Sequence, residues 1–216
     1  MKKFISLMVV VLMLFSVISI SAIAEVDTTV NLQMVNGASI RLNEKNGIRF
    51  YAEVDTAKVE ELRNAGYKVE LGMLIAPKDM LKISGSSYDA LTLNLDTSKY
   101  VNVKYESNNY YKEADFTGVV GSIVSICETP NSYSYDNGNK ARPFVGRAYA
   151  VVTDSEGNQT ISYAEHYGSN FNNNSRSLYQ LAKAFKADNY AGMELTDEQL
   201  KKVDDWIKCE FWTGRY

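Results

Sequence analysis

Residues 142–163 read RPFVGRAYAVVTDSEGNQTISY, and this stretch decides the fold. Its first half alternates between two sets of side chains, and a period of two is typical of a β-strand. The hydrophilic segment 154–158 contains Gly157, which suits a hairpin loop. The stretch therefore predicts two antiparallel strands. The two sets are Phe144, Ala148, Ala150 and Val152 on one side, and Val145, Arg147, Tyr149, Val151 and Thr153 on the other.

Shorter strand patterns precede this hairpin. Residues 28–35 and 38–42 flank Asn36-Gly37, and an Asn-Gly pair between alternating patterns predicts a second hairpin. The pattern over residues 116–127 is apolar on both faces, as in a central strand. The other predicted strands cover residues 48–54, 67–76, 91–95 and 100–105.

Three segments follow a helical pattern. Residues 55–65 lie between a polar capping residue and Gly66, which predicts one short helix among the strands. After residue 163 the apolar period changes to 3.6, with Asn174 or Ser175 as the expected cap. The buried face of that helix is expected to contain Leu178, Leu181, Ala182 and Phe185.

The last helix begins at a capping box, residues 196–199, in which a Thr and a Gln are three positions apart. Its inward face is expected to contain Leu200, Val203, Ile207 and Phe211, with Trp206 at the margin. About nine strands followed by two helices predict a mainly β, α+β fold. The expected architecture is an antiparallel β-sandwich with one short inserted helix and two C-terminal helices.

The first 24 residues carry an export signature. Lys2 and Lys3 precede an apolar run, and Ala22-Ile23-Ala24 offers small residues for cleavage. Residues 1–24 are therefore expected to be a secretory signal peptide, and residues 25–216 a single domain in a secreted, extracellular protein. No later run is long enough to span a bilayer. The net charge of −3 at pH 7, without a basic run, argues against nucleic acid as a partner.

The two cysteines leave the redox state open. Cys127 ends a strand pattern, whereas Cys209 lies opposite the apolar face of the last predicted helix. A disulfide between them and a pair of free thiols are both compatible with the sequence.

Catalytic and metal motifs give little support for an enzyme. The chain has one histidine, His166, and no G-x-S-x-G, H-E-x-x-H, C-x-x-C or P-loop pattern. Among 26 acidic residues no spacing singles out a glycosidase pair. The oxygen-rich turns at residues 136–139 and 154–158 lack EF-hand spacing. We therefore expect no catalytic residue, no metal and no cofactor.

Arginines inside strand patterns require partners. Arg49 and Arg147 lie among apolar strand residues, and Arg176 lies in the expected first turn of a helix. Such guanidinium groups need a carboxylate or a carbonyl oxygen. The sequence leaves two roles open, a structural pair with Glu53, Glu70 or Glu165, and a clamp on a ligand.

Tyrosines favour a binding function. Many of the 15 tyrosines lie in the Asn- and Ser-rich middle of the chain, and Tyr combines a flat apolar face with a hydroxyl. Asn and Asp beside them supply groups for sugar hydroxyls. The alternative is a structural role, in which the tyrosines complete the edge of the core and the Asn and Asp residues form turns. The predicted ligand-binding residues are Tyr110, Tyr111, Tyr133, Tyr135, Asn109 and Asp136.

Six segments carry a family resemblance. In this order they look like a poorly characterised module of exported proteins from Gram-positive anaerobic bacteria, often found beside carbohydrate-active or surface-anchoring modules. The resemblance spans nearly all of residues 25–216, implies an extracellular sandwich, and brings no established activity. The chain is expected to depart from such proteins in carrying one copy, without a dockerin, a sorting signal or a catalytic partner. The segments are GASIRL (37–42), GIRFYAEV (47–54), GMLIAP (72–77), FTGVVGSI (116–123), FVGRAYAVV (144–152) and SRSLYQLA (175–182).

The sequence thus predicts a secreted, non-catalytic module that binds a glycan or another extracellular surface through a Tyr/Asn-rich face. One alternative is a protein-interaction or structural module of the cell surface. A second alternative is a carboxylate-based glycoside hydrolase.

Export gives the first test. Because the leader ends in a cleavage pattern, material secreted by a producing cell should begin at or near Glu25. Mass spectrometry of the secreted protein measures this end directly. An intact Met1 on a cytoplasmic product would contradict the prediction.

Overall fold

A computed structural model describes residues 26–42, 47–83, 91–105, 110–113, 116–123, 140–169 and 171–208. These residues form two antiparallel sheets of five strands each and four α-helices. The strands are β1 (Leu32–Met34), β2 (Ser39–Arg41), β3 (Gly47–Val54), β4 (Lys68–Pro77), β5 (Val101–Tyr105), β6 (Tyr111–Glu113), β7 (Phe116–Ile123), β8 (Phe144–Thr153), β9 (Gln159–Tyr163) and β10 (Ser175–Arg176). The helices are α1 (Thr56–Asn64), α2 (Lys78–Ile83), α3 (Leu178–Ala187) and α4 (Asp197–Ile207).

Each sheet has one long strand that joins the others. In the first, called here the β3 sheet, β1 and β2 pair with one edge of β3. Strand β7 pairs with the other edge of β3, and β6 pairs with β7. In the second, the β8 sheet, β9 and β10 pair with one edge of β8. Strand β4 pairs with the other edge of β8, and β5 pairs with β4. All these pairs are antiparallel, so the antiparallel mixture of strands and helices predicted from the sequence is confirmed.

The stretch 142–163 forms the predicted hairpin. Strands β8 and β9 pair from Tyr149–Tyr163 to Thr153–Gln159. In the loop, the Asp154 carboxylate accepts hydrogen bonds from the backbone N–H groups of Glu156 (2.8 Å) and Asn158 (2.9 Å). These bonds account for the polar residues of this loop as turn formers.

The alternation along β8 separates two buried layers. Phe144, Ala148, Ala150 and Val152 lie in one core cluster, which also contains residues of the β3 sheet. Residues from the opposite face of β8, among them Val145, lie in a second cluster. The assignment of the two faces is confirmed, and both faces of this strand are buried.

The two sheets are in direct contact at the core. A Cβ on Gly146 of β8 would lie 2.7 Å from Cγ of Phe50 on β3, so only a glycine fits there without displacement. The backbone N–H of Ala148 donates to Sδ of Met34 on β1 at 3.4 Å. These contacts join β8 to two strands of the other sheet.

Helices α3 and α4 close the same core. Leu178 and Ala182 of α3 are fully buried, and Leu181 and Phe185 are partly buried against the cluster, so the predicted face of α3 is confirmed. The cap was wrong, because Ser177 forms a capping box with Gln180. Asn174 and Ser175 do not cap this helix because they make other interactions. The buried Asn174 amide donates to the Val35 carbonyl (2.7 Å), and Ser175 lies in β10.

The face of α4 is rotated from the predicted one. Its capping box, with Thr196 and Gln199, is confirmed. However, Trp206 is 1% exposed and lies in the core beside Val203, whereas Ile207 is only partly buried. Trp206 and Ile207 lie three and four residues after Val203, so both are its neighbours on the helix surface. The larger of the two side chains, that of Trp206, packs in the core. Phe211 lies outside the described residues.

The predicted hairpin at Asn36-Gly37 was wrong. Strands β1 and β2 do not pair with each other, and both pair with β3, at residues 52–54 and 47–49. A type I′ hairpin needs positive φ at both central residues. Here Gly37 has φ 75°, whereas Asn36 is not among the described residues with positive φ. The turn therefore redirects the chain along one edge of β3.

The predicted strand at residues 91–95 was also wrong. This segment forms a turn, in which Leu95 N–H donates to the Thr92 carbonyl at 3.1 Å. Its alternating leucines pack on the outer face of the β8 sheet instead of belonging to a strand. Alternation shows which side chains are buried, but not whether the backbone pairs with a neighbour.

Several expectations concern features outside these elements. Arg176 lies in β10 and not in a helix. Cys127 and Cys209 lie outside the described residues. Among the helices that the structure describes, none combines the length and apolar character needed to cross a bilayer.

The core assignment predicts the effect of two truncations. Phe144 is 1% exposed, so Phe144→Ala should lower the free energy of unfolding by about 3–5 kcal/mol through lost burial and a cavity. Lys201→Ala removes an exposed ion pair with Asp205 and should leave the free energy of unfolding nearly unchanged. Urea unfolding of both variants measures the difference. Equal effects would show that the buried face is misassigned.

Candidate functional site

A groove of about 310 Å³ lies on the outer face of the β8 sheet, away from the β3 sheet. It crosses strands β5, β4, β8 and β9 and is bordered by the turn at residues 91–95. Polar and charged side chains make up half of its lining. The lining residues are Glu70, Leu71, Leu93, Asn94, Asn102, Lys104, Tyr149, Val151, Gln159 and Ile161.

Strand register places these side chains in rows across the sheet. One row runs from Lys104 through Gly72 to Tyr149. The next row contains Glu70, Val151 and Ile161. Because neighbouring residues of a strand face opposite sides, every second residue of four strands contributes to the same surface.

Tyr149 forms the floor of the groove. Its side chain crosses Gly72 of β4, and its hydroxyl donates to Oδ1 of Asn102 on β5 at 2.9 Å. A Cβ on Gly72 would lie 2.6 Å from Cε1 of the Tyr149 ring, so glycine is required there. Burial raises the pKa of Tyr149, the hydrogen bond with Asn102 opposes this, and the charge of Glu70 adds to it. The hydroxyl therefore stays protonated and acts as a donor.

Buried groups hold the turn that borders the groove. The Leu93 N–H donates to the Tyr163 hydroxyl (3.0 Å), and the Tyr100 hydroxyl donates to the Leu93 carbonyl (3.4 Å). Arg147 donates to the carbonyls of Leu91 (3.4 Å) and Ala164 (3.2 Å). These bonds anchor one wall of the groove to the sheet.

The three arginines singled out from the sequence have protein partners. The Arg147 guanidinium also lies 4.9 Å from the Tyr163 ring centroid. Arg49 donates to Ser39 Oγ at 3.3 Å. Arg176 donates to the Ser175 carbonyl at 2.8 Å and lies against Gly37. Carbonyl and hydroxyl oxygens thus serve all three, which favours the structural role.

The predicted binding residues are only partly described. Tyr111 begins β6 and pairs with Gly118. Asn109, Tyr133, Tyr135 and Asp136 lie outside the described residues. The ligand role of these residues stays a prediction, and Tyr110 is not among the described residues that line the groove on the β8 sheet.

Tyr110 is the one predicted binding residue whose side-chain contacts are described. It packs against the core edge, and its hydroxyl donates to Glu60 at 3.0 Å and accepts from Arg63 at 3.2 Å. Burial, followed by the bond to Glu60, raises the pKa of Tyr110 to about 12. These contacts tie the start of β6 to α1.

Sequence reasoning missed both the groove and a buried ion pair. The Arg142 guanidinium donates to both carboxylate oxygens of Asp79, at 2.8 and 2.7 Å, in a bidentate pair. Nothing in the spacing of the two residues predicted it. For the groove a signal existed, because Gly72 interrupts an otherwise apolar strand, and such a glycine often marks a close approach.

Within the described part of the chain, no three His, Cys, Asp or Glu side chains are grouped as they would be around an ion.

A further surface groove lies beside Trp206 and is lined by Lys140, Lys201, Lys202, Glu198 and Asp205.

Comparison of the chain with protein-family models, with curated proteins and with solved structures found no match. The resemblance described above therefore stays a prediction from the sequence.

The floor of the groove gives a test by double-mutant cycle. Gly72→Ala should displace Tyr149 and lower the free energy of unfolding by about 1–3 kcal/mol through overpacking. In a Tyr149→Ala background the same change should cost much less, because the ring that it would meet is gone. Denaturant unfolding of the four proteins measures the coupling. Additive effects would contradict the contact.

Proposed function

We propose that this chain is a secreted, non-catalytic binding module with a β-sandwich architecture, and that it binds a glycan in the groove on the β8 sheet. The observation that carries the proposal is the groove itself, which is lined by amides, a carboxylate and an ammonium group. An export leader predicted over residues 1–24 supports secretion.

Contacts between the sheets support the sandwich. Phe50 of the β3 sheet lies against Gly146 of the β8 sheet, and Met34 lies against Ala148. Apolar side chains from both sheets share one core cluster. Two antiparallel sheets with a common core and polar outer surfaces are typical of this architecture.

The chemistry of the groove supports a sugar ligand. Asn94 and Gln159 are exposed, and their amides offer both donors and acceptors for hydroxyl groups. Ile161, at 39% exposed, supplies an apolar surface for the C–H face of a sugar ring. A groove that crosses four strands suits an extended chain better than a compact ligand.

Two alternatives have less support. A stable protein interface needs about 800 Å² on each partner and is usually centred on aromatic or Arg anchors. Among the described residues that line this groove, the one exposed large apolar side chain is Ile161. A glycoside hydrolase needs two carboxyl groups about 5–9.5 Å apart. Among the described residues that line the groove, Glu70 is the one carboxylate.

The proposal is tested on a glycan array with the chain lacking its leader. We expect retention of at least one polysaccharide. Asn94→Ala or Gln159→Ala should weaken it by a few-fold to about tenfold, the effect of one neutral hydrogen bond. Their thermal midpoints should not move, because both side chains are exposed.

The predicted Tyr/Asn-rich face provides the comparison. Tyr110→Ala, Tyr111→Ala, Tyr133→Ala and Tyr135→Ala should bind as the wild type does if the groove is the site. If these variants lose binding and the groove variants keep it, the site lies on the Tyr/Asn-rich face. If no glycan is retained, the glycan proposal is wrong and the protein-interaction alternative leads. Release of reducing ends from a retained glycan would favour the hydrolase.

A further inference from the structure

We propose that the ligand of this groove is an acidic glycan, and that Lys104 and the Asn102 amide receive the carboxylate of a uronic acid residue. This inference rests on the proposed function and specifies its ligand. It follows from the charges in the groove, from the orientation of one amide, and from the position of both groups on β5.

The two charged side chains of the groove, Glu70 and Lys104, differ in their partners. Glu70 lies 3.5 Å from Lys68, so its carboxylate is balanced by a neighbour on the same strand. Lys104 is exposed, and within the described part of the chain it makes no ion pair. Among the described residues of the groove, Lys104 is therefore a cation without an ion-pair partner, and an anionic group on the ligand would supply one.

The Asn102 amide is oriented toward a ligand acceptor. The Tyr149 hydroxyl donates to its Oδ1 at 2.9 Å, which leaves Nδ2 as the group available for other bonds. No hydrogen bond from Nδ2 to a described residue exists. Because Tyr149 is 2% exposed and packs across Gly72, it holds the amide in this orientation. Tyr149 is therefore a positioning residue.

The two donors lie on one face of one strand. Asn102 and Lys104 are two positions apart on β5, and both pair with residues of β4 that face outward, Leu74 and Gly72. Alternate residues of a strand are about 7 Å apart. A flexible lysine and a fixed amide at this spacing can donate to the two oxygens of one carboxylate.

The remaining lining suits the rest of a sugar. The Glu70 carboxylate, on the neighbouring row, accepts from hydroxyl groups, and Ile161 lies beside it across Val151. An acidic peptide would also present carboxylates, but it offers no array of hydroxyl donors for Glu70. The pattern of one cation, one acceptor and several amides favours a uronate-containing chain.

Calorimetry with matched polymers tests the inference. The probes are polygalacturonate, alginate and hyaluronate, each before and after reduction of its carboxyl groups. We expect binding of at least one acidic polymer and a Kd that is about 10- to 100-fold higher for its reduced form, the effect of a charged hydrogen bond. Added salt should weaken binding of the acidic form only.

Variants locate the charge. Lys104→Met should remove most of the preference for the acidic polymer, and Lys104→Arg should keep it. Lys201→Met, an exposed lysine on α4, is the charge-matched control and should bind as the wild type does. Tyr149→Phe should reduce the ratio between acidic and reduced polymers, an effect that a merely structural role would not produce.

The outcomes separate the two proposals. Equal binding of acidic and reduced polymers would overturn the acidic-glycan inference and leave the glycan proposal standing. A Lys104→Met variant that keeps the full preference for the acidic polymer would do the same. Failure to retain any glycan would overturn both. Retention of an acidic peptide in place of a polysaccharide would assign the clamp to a protein partner and contradict the inference.

Discussion

The pairing of β4 with β8 is the constraint on which the rest of the structure depends. The two strands pair over ten residues, from Lys68–Thr153 to Pro77–Phe144. A slip of one residue would turn every side chain to the opposite face. Since β8 is buried on both sides, such a slip would remove Phe144 from the core and bring Arg147 into it. The register is therefore specified by two layers at once.

Two glycines on these strands allow close contacts on opposite faces. Gly146 faces inward and lets Phe50 of the other sheet approach the backbone. Gly72 faces outward and lets Tyr149 lie across β4 and reach Asn102. Each glycine sacrifices side-chain burial and adds conformational entropy to the unfolded chain. The aromatic ring placed above each one restores part of that burial.

The outer face of the β8 sheet combines a structural layer with the groove that we propose as a binding surface. The turn at residues 91–95 packs on the outer face of the β8 sheet, and Arg147 and Tyr163 anchor it. The groove lies beside this turn, and its floor is held by Tyr149, which is buried and hydrogen-bonded. Because a rigid floor loses little conformational freedom when a ligand binds, it lowers the entropic cost of binding. This arrangement is the basis of our proposal that the groove binds an extended ligand.

Local patterns in the sequence determined much of the fold. The alternation along β8, the Asp154–Asn158 turn, helix α1 and the capping box of α4 depend on neighbouring residues, so they could be predicted. Tertiary structure decided the rest. Asn36-Gly37 failed as a hairpin because β3 offered both flanking segments a longer partner. The Asp79–Arg142 pair and the groove join residues far apart in the chain. Strand order and register create such contacts, and no local pattern contains them.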